Sequence, residues 1–252
     1  MHFTAVGAVR TFIIVGAFVA LELLCRTGVI NRLTMIPPSE MGLALWQILA
    51  SGKANADITF TIFNTAAAIA LSVFGGFLLG ACLHAVPRVR RAVEPLLSAY
   101  YAVPVFVFYP VLIVAFGVGR TALIVMGAMF GIVAMVVNTM LGLDRVPPVV
   151  TKTAAVLKLD PARRLLMIRL PSALPHLVTG IKLAVAYSVI GIVAGEFILA
   201  SAGIGKRIAF GYNDFDNRTM YGMLLLLLVL VMVVNGALSL WEKRLHQRFG
   251  QQ

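Results

Sequence analysis

The stretch Asp144–Leu183, DRVPPVVTKTAAVLKLDPARRLLMIRLPSALPHLVTGIKL, decides how the rest of the chain is read. It is charged and proline-marked, and long apolar runs lie on either side of it. Two short helical pieces sit inside it, Thr151 to Leu159 and Pro161 to Ile168. At about 1.5 Å of rise per residue neither can cross roughly 30 Å of hydrocarbon. Pro161 suits the first turn of the second piece, with Asp160 as its N-cap. Thr153, Ala154, Ala155, Leu157 and Leu159 offer a small or apolar docking surface, and Lys152, Lys158, Arg163 and Arg164 offer charge. Two readings of such an elbow stand on the residues alone. One presents it to a cytoplasmic partner. The other rests it on anionic lipid head groups.

Outward from the elbow, the composition sets the class. Of 252 residues, 60% are hydrophobic and 12% charged, against about 25% charged in an ordinary soluble domain. Six apolar runs are long enough to span a bilayer: Val9 to Ile30, Ile58 to Leu83, Leu96 to Gly119, Thr121 to Leu143, Pro175 to Leu199 and Thr219 to Trp241. Gly75, Gly76 and Gly80 in the second run permit close helix approach. Pro104 and Pro110 predict a kinked third span, either lining a pathway or simply packing. A short helix is expected over Met41 to Ala50, and His84 to Pro95 reads as a basic loop. The fold class is an all-α membrane protein with about six transmembrane helices and a cytoplasmic loop between spans 4 and 5.

The net charge of +11 would suggest nucleic acid in a soluble chain. Here the lysines and arginines sort instead by loop. Placing both termini inside puts thirteen of them, including the elbow, on the inner side and seven on the outer, as the positive-inside bias requires. Cys25 and Cys82 show no ligand spacing, and the four histidines form no metal or catalytic set. Glu22 interrupts the first apolar run, which lacks a cleavage site, so no cleavable signal is expected. The run Ser201-Ala202-Gly203-Ile204-Gly205-Lys206-Arg207 is not a phosphate loop, because Ala200 and Arg207 stand where glycine and Ser or Thr are required. Two ionisable residues lie within the fifth span. Lys182 near its inner end reads as snorkelling to the interface. Glu196 near its outer end is either functional or a structural anchor. Tyr100, Tyr101, Pro104, Pro110, Asn138 and Glu196 are the candidates along a pathway.

The elbow resembles the cytoplasmic loop of bacterial ABC importer permeases, which reads E-A-A, three residues, G, nine residues, I-x-L-P. Ile168-Arg169-Leu170-Pro171 supplies the tail at the right spacing, while Lys152 stands for the acidic residue and Lys158 for the glycine. Over roughly Pro37 to Arg244 the chain is similar to permeases of the nitrate/sulfonate/taurine subgroup. The likeness rests on Pro37-Pro38-Ser39, Asn64-Thr65, Pro104 to Pro110 to Phe116-Gly117, Asn138-Thr139 to Gly142, Leu170 to Pro175, and Glu196 to Gly203-Ile204-Gly205. The resemblance implies a multi-pass subunit of the bacterial cytoplasmic (inner) membrane with both termini cytoplasmic. Residues 1–57 would form an N-terminal span and outer connection, 58–241 the transmembrane domain with its coupling loop at 144–171, and 242–252 a cytoplasmic tail. It implies partnership with a second permease copy, two cytoplasmic ATPase subunits docked on the elbows, and a periplasmic or lipid-anchored solute-binding protein. ATP and Mg would be bound by the ATPases, leaving this chain without a cofactor, an enzyme site or a nucleic-acid partner. The solute would be small: nitrate, a sulfonate, taurine or a small heterocycle. The competing class is an ATP-independent channel or ion-coupled carrier, which predicts inverted repeats and more intramembrane charge. A membrane enzyme would need a catalytic constellation that the residues do not show.

Overall fold

The computed structural model describes residues 2–146, 149, 160, 163, 170–199 and 201–249, and among these all regular structure is helical. In chain order the helices are α1 (His2–Arg26), α2 (Pro38–Ser51), α3 (Asn55–Ala85), α4 (Pro87–Tyr100), a 3₁₀ turn (Val105–Phe108), α5 (Tyr109–Phe116), α6 (Arg120–Asp144), α7 (Leu170–Leu199), α8 (Ile204–Asn213) and α9 (Asn217–Phe249). Five of them, α1, α3, α6, α7 and α9, are long and apolar enough to cross a membrane, and the pair α4 with α5 makes a sixth crossing if taken together. The outward faces are oily throughout, with Phe12, Phe74 and Val114 exposed by 79%, 74% and 89%. Lipid, not water, is the solvent that such a surface fits.

Helices α3, α6 and α7 form the core. Of the apolar stretch of α6, 61% is buried, against 6% for α1 and for α9. Lipid tails are as apolar as leucine, so these helices gain from intimate contact and hydrogen bonding more than from leaving water. The sequence supplies the contact with glycine pairs four residues apart on each core helix: Gly76 and Gly80, Gly127 and Gly131, Gly191 and Gly195. A Cβ on Gly76 would lie 2.8 Å from the Ile132 carbonyl oxygen, and one on Gly131 would lie 2.6 Å from the Ala184 carbonyl oxygen. Only a hydrogen fits at either place. Polar bonds then fix the rotation. Ser72 of α3 donates to the Ala128 carbonyl of α6 at 3.0 Å and accepts from Ser188 of α7 at 2.9 Å. Three helices thus meet at one hydroxyl, each such bond contributing about 0.6–2 kcal/mol in a bilayer.

The third crossing differs from the kinked helix expected over Leu96 to Gly119. Helix begins already at Pro87, so the expected basic loop His84 to Pro95 is mostly helical and carries Arg88, Arg90 and Arg91 on α4. Pro87 occupies the first turn, where its missing N–H costs nothing. The chain then breaks ahead of Pro104, and the arms on either side are bent by 100°. Pro104 disfavours helical backbone at Val103 and cannot donate. Pro110 does not bend anything, because it lies in the first turn of α5. Arg90 closes the arrangement by donating to Glu94 at 2.9 Å and to Asp144, at the end of α6, at 2.7 Å.

The expected short helix over Met41 to Ala50 is α2, extended to Pro38 and Ser51. Its start is held by Glu22, which accepts from the Ser39 N–H at 3.0 Å and the Ser39 hydroxyl at 2.7 Å. A smaller apolar cluster of Ala54, Ile204, Ile208 and Met223 joins α8 and α9 to the start of α3.

Candidate functional site

Two sites emerge from this framework. The first lies where α7 ends and α8 begins. The first N–H groups of a helix have no partner within it, and in α8 side chains from elsewhere accept them in succession. Gly203 N–H donates to Asp57 Oδ1 at 2.9 Å, Ile204 N–H to Thr61 Oγ1 at 2.8 Å, and Gly205 N–H to Glu196 Oε2 at 3.1 Å. Asp57 and Thr61 stand one turn apart on α3, so one face of that helix reads two consecutive amides. The Thr61 hydroxyl in turn donates to Glu196, whose oxygens lie 2.9 and 2.8 Å away. Arg207 returns from α8 to pair with Asp57 and donates to the Lys53 carbonyl at 2.6 Å.

Glu196 is completely buried, as is Thr61 within 1%. Carboxylates at a helix N-terminus also meet the positive end of its dipole. The loop geometry demands glycine: Gly203 has φ +117°, and a Cβ there would fall 2.3 Å from the Glu196 carboxyl carbon. The arrangement contains no nucleophile and base pair. It joins the start of α3, the end of α7 and the start of α8 through buried hydrogen bonds.

The second site is the break between α4 and α5. Tyr100, Tyr101 and Pro104 line a cavity of about 470 Å³ together with Phe106, Phe130 and Tyr187. That volume lies within the range of about 300–1,000 Å³ usual for small-molecule pockets. Tyr100 is fixed by donating to the Met129 carbonyl at 2.7 Å. Its ring meets Tyr101 edge-on, with centroids 6.5 Å apart and planes at 83°. Phe106 and Phe130 form a tilted pair at 4.9 Å.

Of the six pathway candidates, the structure gathers Tyr100, Tyr101 and Pro104 in this cavity. Glu196 belongs to the loop cluster. Pro110 begins α5, and Asn138 on α6 donates to its own Ala134 carbonyl at 2.8 Å while packing where Gly180 of α7 leaves room. Phe106, Phe130 and Tyr187 escape sequence reading, because an aromatic at helical spacing looks like packing until its neighbours are known.

Of the elbow residues, Lys152, Thr153, Ala154, Ala155, Leu157, Lys158, Leu159, Pro161 and Arg164 lie outside the described residues. Asp160 and Arg163 are exposed. Lys182 corrects its expected role. Its ammonium does not merely reach for the interface but pairs with Glu242 of α9 at 2.7 Å. Among the described residues no group of three His, Cys, Asp or Glu could hold a metal ion.

Comparison with known proteins agrees with this architecture. The model of the family described as "binding-protein-dependent transport system inner membrane component" matches residues 72–251. The nitrate import permease protein NrtB of Leptolyngbya laminosa is 28% identical over 179 residues, covering 71% of this chain and 60% of that protein. The taurine transport system permease protein TauC of Escherichia coli is 26% identical over 217 residues, covering 85% of this chain and 75% of that one. The chain thus spans less than two thirds of the NrtB relative. In fold, a chain of the MetNI methionine ABC transporter, solved in inward-facing conformations, superposes with a TM-score of 0.66 at 19% identity, covering 76% of this chain and 95% of that one. A match over most of the chain, on a helical bundle with five or six crossings, leaves one assignment: this multi-pass protein belongs to the family of inner-membrane permease components of binding-protein-dependent ABC transport systems.

Proposed function

We propose that this chain forms the translocation pathway of a bacterial ABC importer for a small solute. It works as a pair of copies, with two cytoplasmic ATPase subunits and a periplasmic or lipid-anchored solute-binding protein. The observation that carries this reading is the family match over residues 72–251. Relatives named for nitrate and taurine import set the size of solute expected. Both termini face the cytoplasm. The segment 144–171 is the coupling loop on which each ATPase sits, residues 58–241 are the transmembrane domain, 1–57 add a span and outer connection, and 242–252 form the tail.

ATP and Mg are held by the ATPases. Their closure moves the coupling loops, the spans open outward to receive solute, and hydrolysis resets them. Such a cycle requires the ATPases to bind the two permease states with different affinity. The Lys182–Glu242 pair supports a lever at this end, since it ties the first half of α7 to α9. The loop cluster at Glu196 supports rigid transmission at the other end.

The test is affinity purification of the tagged protein from its own host in mild detergent, with mass spectrometry of what accompanies it. Recovery of an ATPase and a solute-binding protein is expected. A monodisperse protein recovered alone would favour an ATP-independent channel or carrier.

A further inference from the structure

Two cavities follow one another along α3 and α9, one apolar and one polar. The deeper is a slot of about 160 Å³ between α3, α7 and α9, walled by aliphatic side chains such as Ile69, Val193 and Leu230. It is smaller than the roughly 300–1,000 Å³ of a small-molecule pocket. Its surroundings are those of a lipid-facing surface. Ile62 in its wall is 47% exposed, and of the apolar stretch of α9 only 6% is buried. Inside the hydrocarbon core the medium against such a surface is acyl chain. Thr61 also lines the slot, but its hydroxyl is committed to Glu196 and the Ile204 amide.

The shallower cavity, about 310 Å³, is lined by Asp57, Ser201, Lys206, Arg207, Phe210 and Thr219. Asp57 stands one turn before Thr61 on α3, and Thr219 stands eleven residues, or three turns, before Leu230 on α9. The two cavities therefore share a face of each helix. Eleven residues rise about 16 Å, close to one leaflet of a hydrocarbon core about 30 Å thick. Charge completes the match. Arg207 pairs with Asp57, which leaves Lys206 as the uncompensated charge of the lining. Its ammonium donates to the Ser201 carbonyl at 2.6 Å and lies 5.0 Å from the centre of the Phe210 ring. An ammonium has three N–H groups, so the Ser201 bond leaves others for a phosphate oxygen.

We propose that the two cavities together bind one anionic phospholipid, with its phosphate at Lys206 and an acyl chain in the slot. The single net positive charge favours a lipid of net charge −1 over a zwitterion. With both termini in the cytoplasm the lipid comes from the outer leaflet. Its binding depends neither on that orientation nor on the importer reading.

The test offers the full-length protein in dodecyl maltoside equal amounts of phosphatidylglycerol and phosphatidylcholine with identical chains. Native mass spectrometry then counts the lipid retained. One phosphatidylglycerol per chain is expected, in several-fold preference to phosphatidylcholine. Lys206→Gln should lower phosphatidylglycerol retention about fivefold and leave phosphatidylcholine unchanged. Ala66→Trp, which fills the slot from an exposed position, should lower retention of both lipids. Size exclusion first establishes that each variant is monodisperse. Phosphatidylglycerol should also raise the Tm of the parent, whereas sodium phosphate at the same concentration should not. The proposal is overturned if the parent retains both lipids equally, or if Lys206→Gln keeps phosphatidylglycerol as the parent does. Unchanged retention in Ala66→Trp overturns it too, as does stabilisation by sodium phosphate equal to that by the lipid, which would assign the polar cavity to a free anion.

Discussion

Replacing Thr61 by valine tests whether the α3–α7–α8 cluster holds the fold together. The two side chains are nearly the same shape, so the change removes one hydroxyl with little effect on packing. That hydroxyl serves two buried groups, donating to Glu196 at 2.9 and 2.8 Å and accepting from Ile204 N–H at 2.8 Å. Afterwards the Ile204 amide is orphaned, at about 1–3 kcal/mol, and a bond to an acidic group worth about 1.5–3 kcal/mol is lost. The sum is about 2.5–6 kcal/mol, which at roughly 2–4 °C per kcal/mol lowers Tm by about 5 °C or more. Thr61→Ser keeps the hydroxyl and should lie close to the parent. Thermal unfolding in detergent, followed by size-exclusion of the surviving monodisperse fraction, reads both variants. A Tm for Thr61→Val within about 2 °C of the parent would refute the reasoning, since about 2.5 kcal/mol or more cannot vanish in so small a shift.

Other predictions are independent of that one. Gly131→Ala should destabilise by about 1–3 kcal/mol through overpacking, as its Cβ meets Ala184 O and Ser188 Oγ, both at 2.6 Å, while Gly236→Ala, with nothing within 4 Å, should not. The same thermal assay separates them. Glu242→Met should destabilise more than the Lys182→Met/Glu242→Met double variant does, because the single change removes the carboxylate that pairs with the Lys182 ammonium at 2.7 Å and leaves that charge in place. Asp216 caps α9 by accepting from Thr219 N–H at 3.1 Å, and hydrogen bonding by Thr219, through its side chain first and then this amide, holds the carboxyl below the usual range. A lowered folded pKa means the contribution is complete above the ordinary aspartate value of 3.8 and fades as pH falls through the lowered one. Asp216→Ala should therefore cost about 1 kcal/mol at pH 7 and progressively less on strong acidification, read as the Tm difference between variant and parent across pH.

How much of this was legible beforehand differs element by element. The long uncharged runs announced themselves, because hydrocarbon thickness dictates their length and nothing in the fold overrides it. The glycine pairs on α3 were visible as a licence for close approach, but which carbonyl each would meet depends on helix rotation. The pattern Glu196 to Gly203-Ile204-Gly205 was visible too. Its partner Thr61 lies 135 residues from Glu196, and no local signal connects them. The third crossing was misread for a local reason. Two prolines suggested one kinked helix, whereas Pro110 falls at a helix start where proline is harmless and Pro104 falls where the chain breaks between two helices. Lys182 was read from its stem length alone, because Glu242 sits on a helix that sequence could not place beside it. The aromatic cavity shows the same limit, since Tyr187 and Phe130 acquire meaning only from the three-helix packing that brings them to Tyr100.

The central claim is that solute crosses this protein at the expense of ATP hydrolysed by a partner. Its most direct measurement is uptake into proteoliposomes holding the co-purified complex, with solute-loaded binding protein supplied outside and ATP with Mg supplied to the ATPase side. Uptake that requires ATP, requires the binding protein and survives proton and sodium ionophores is the predicted result. Uptake that persists without ATP and collapses with the ionophores would contradict it and assign the chain to the carriers.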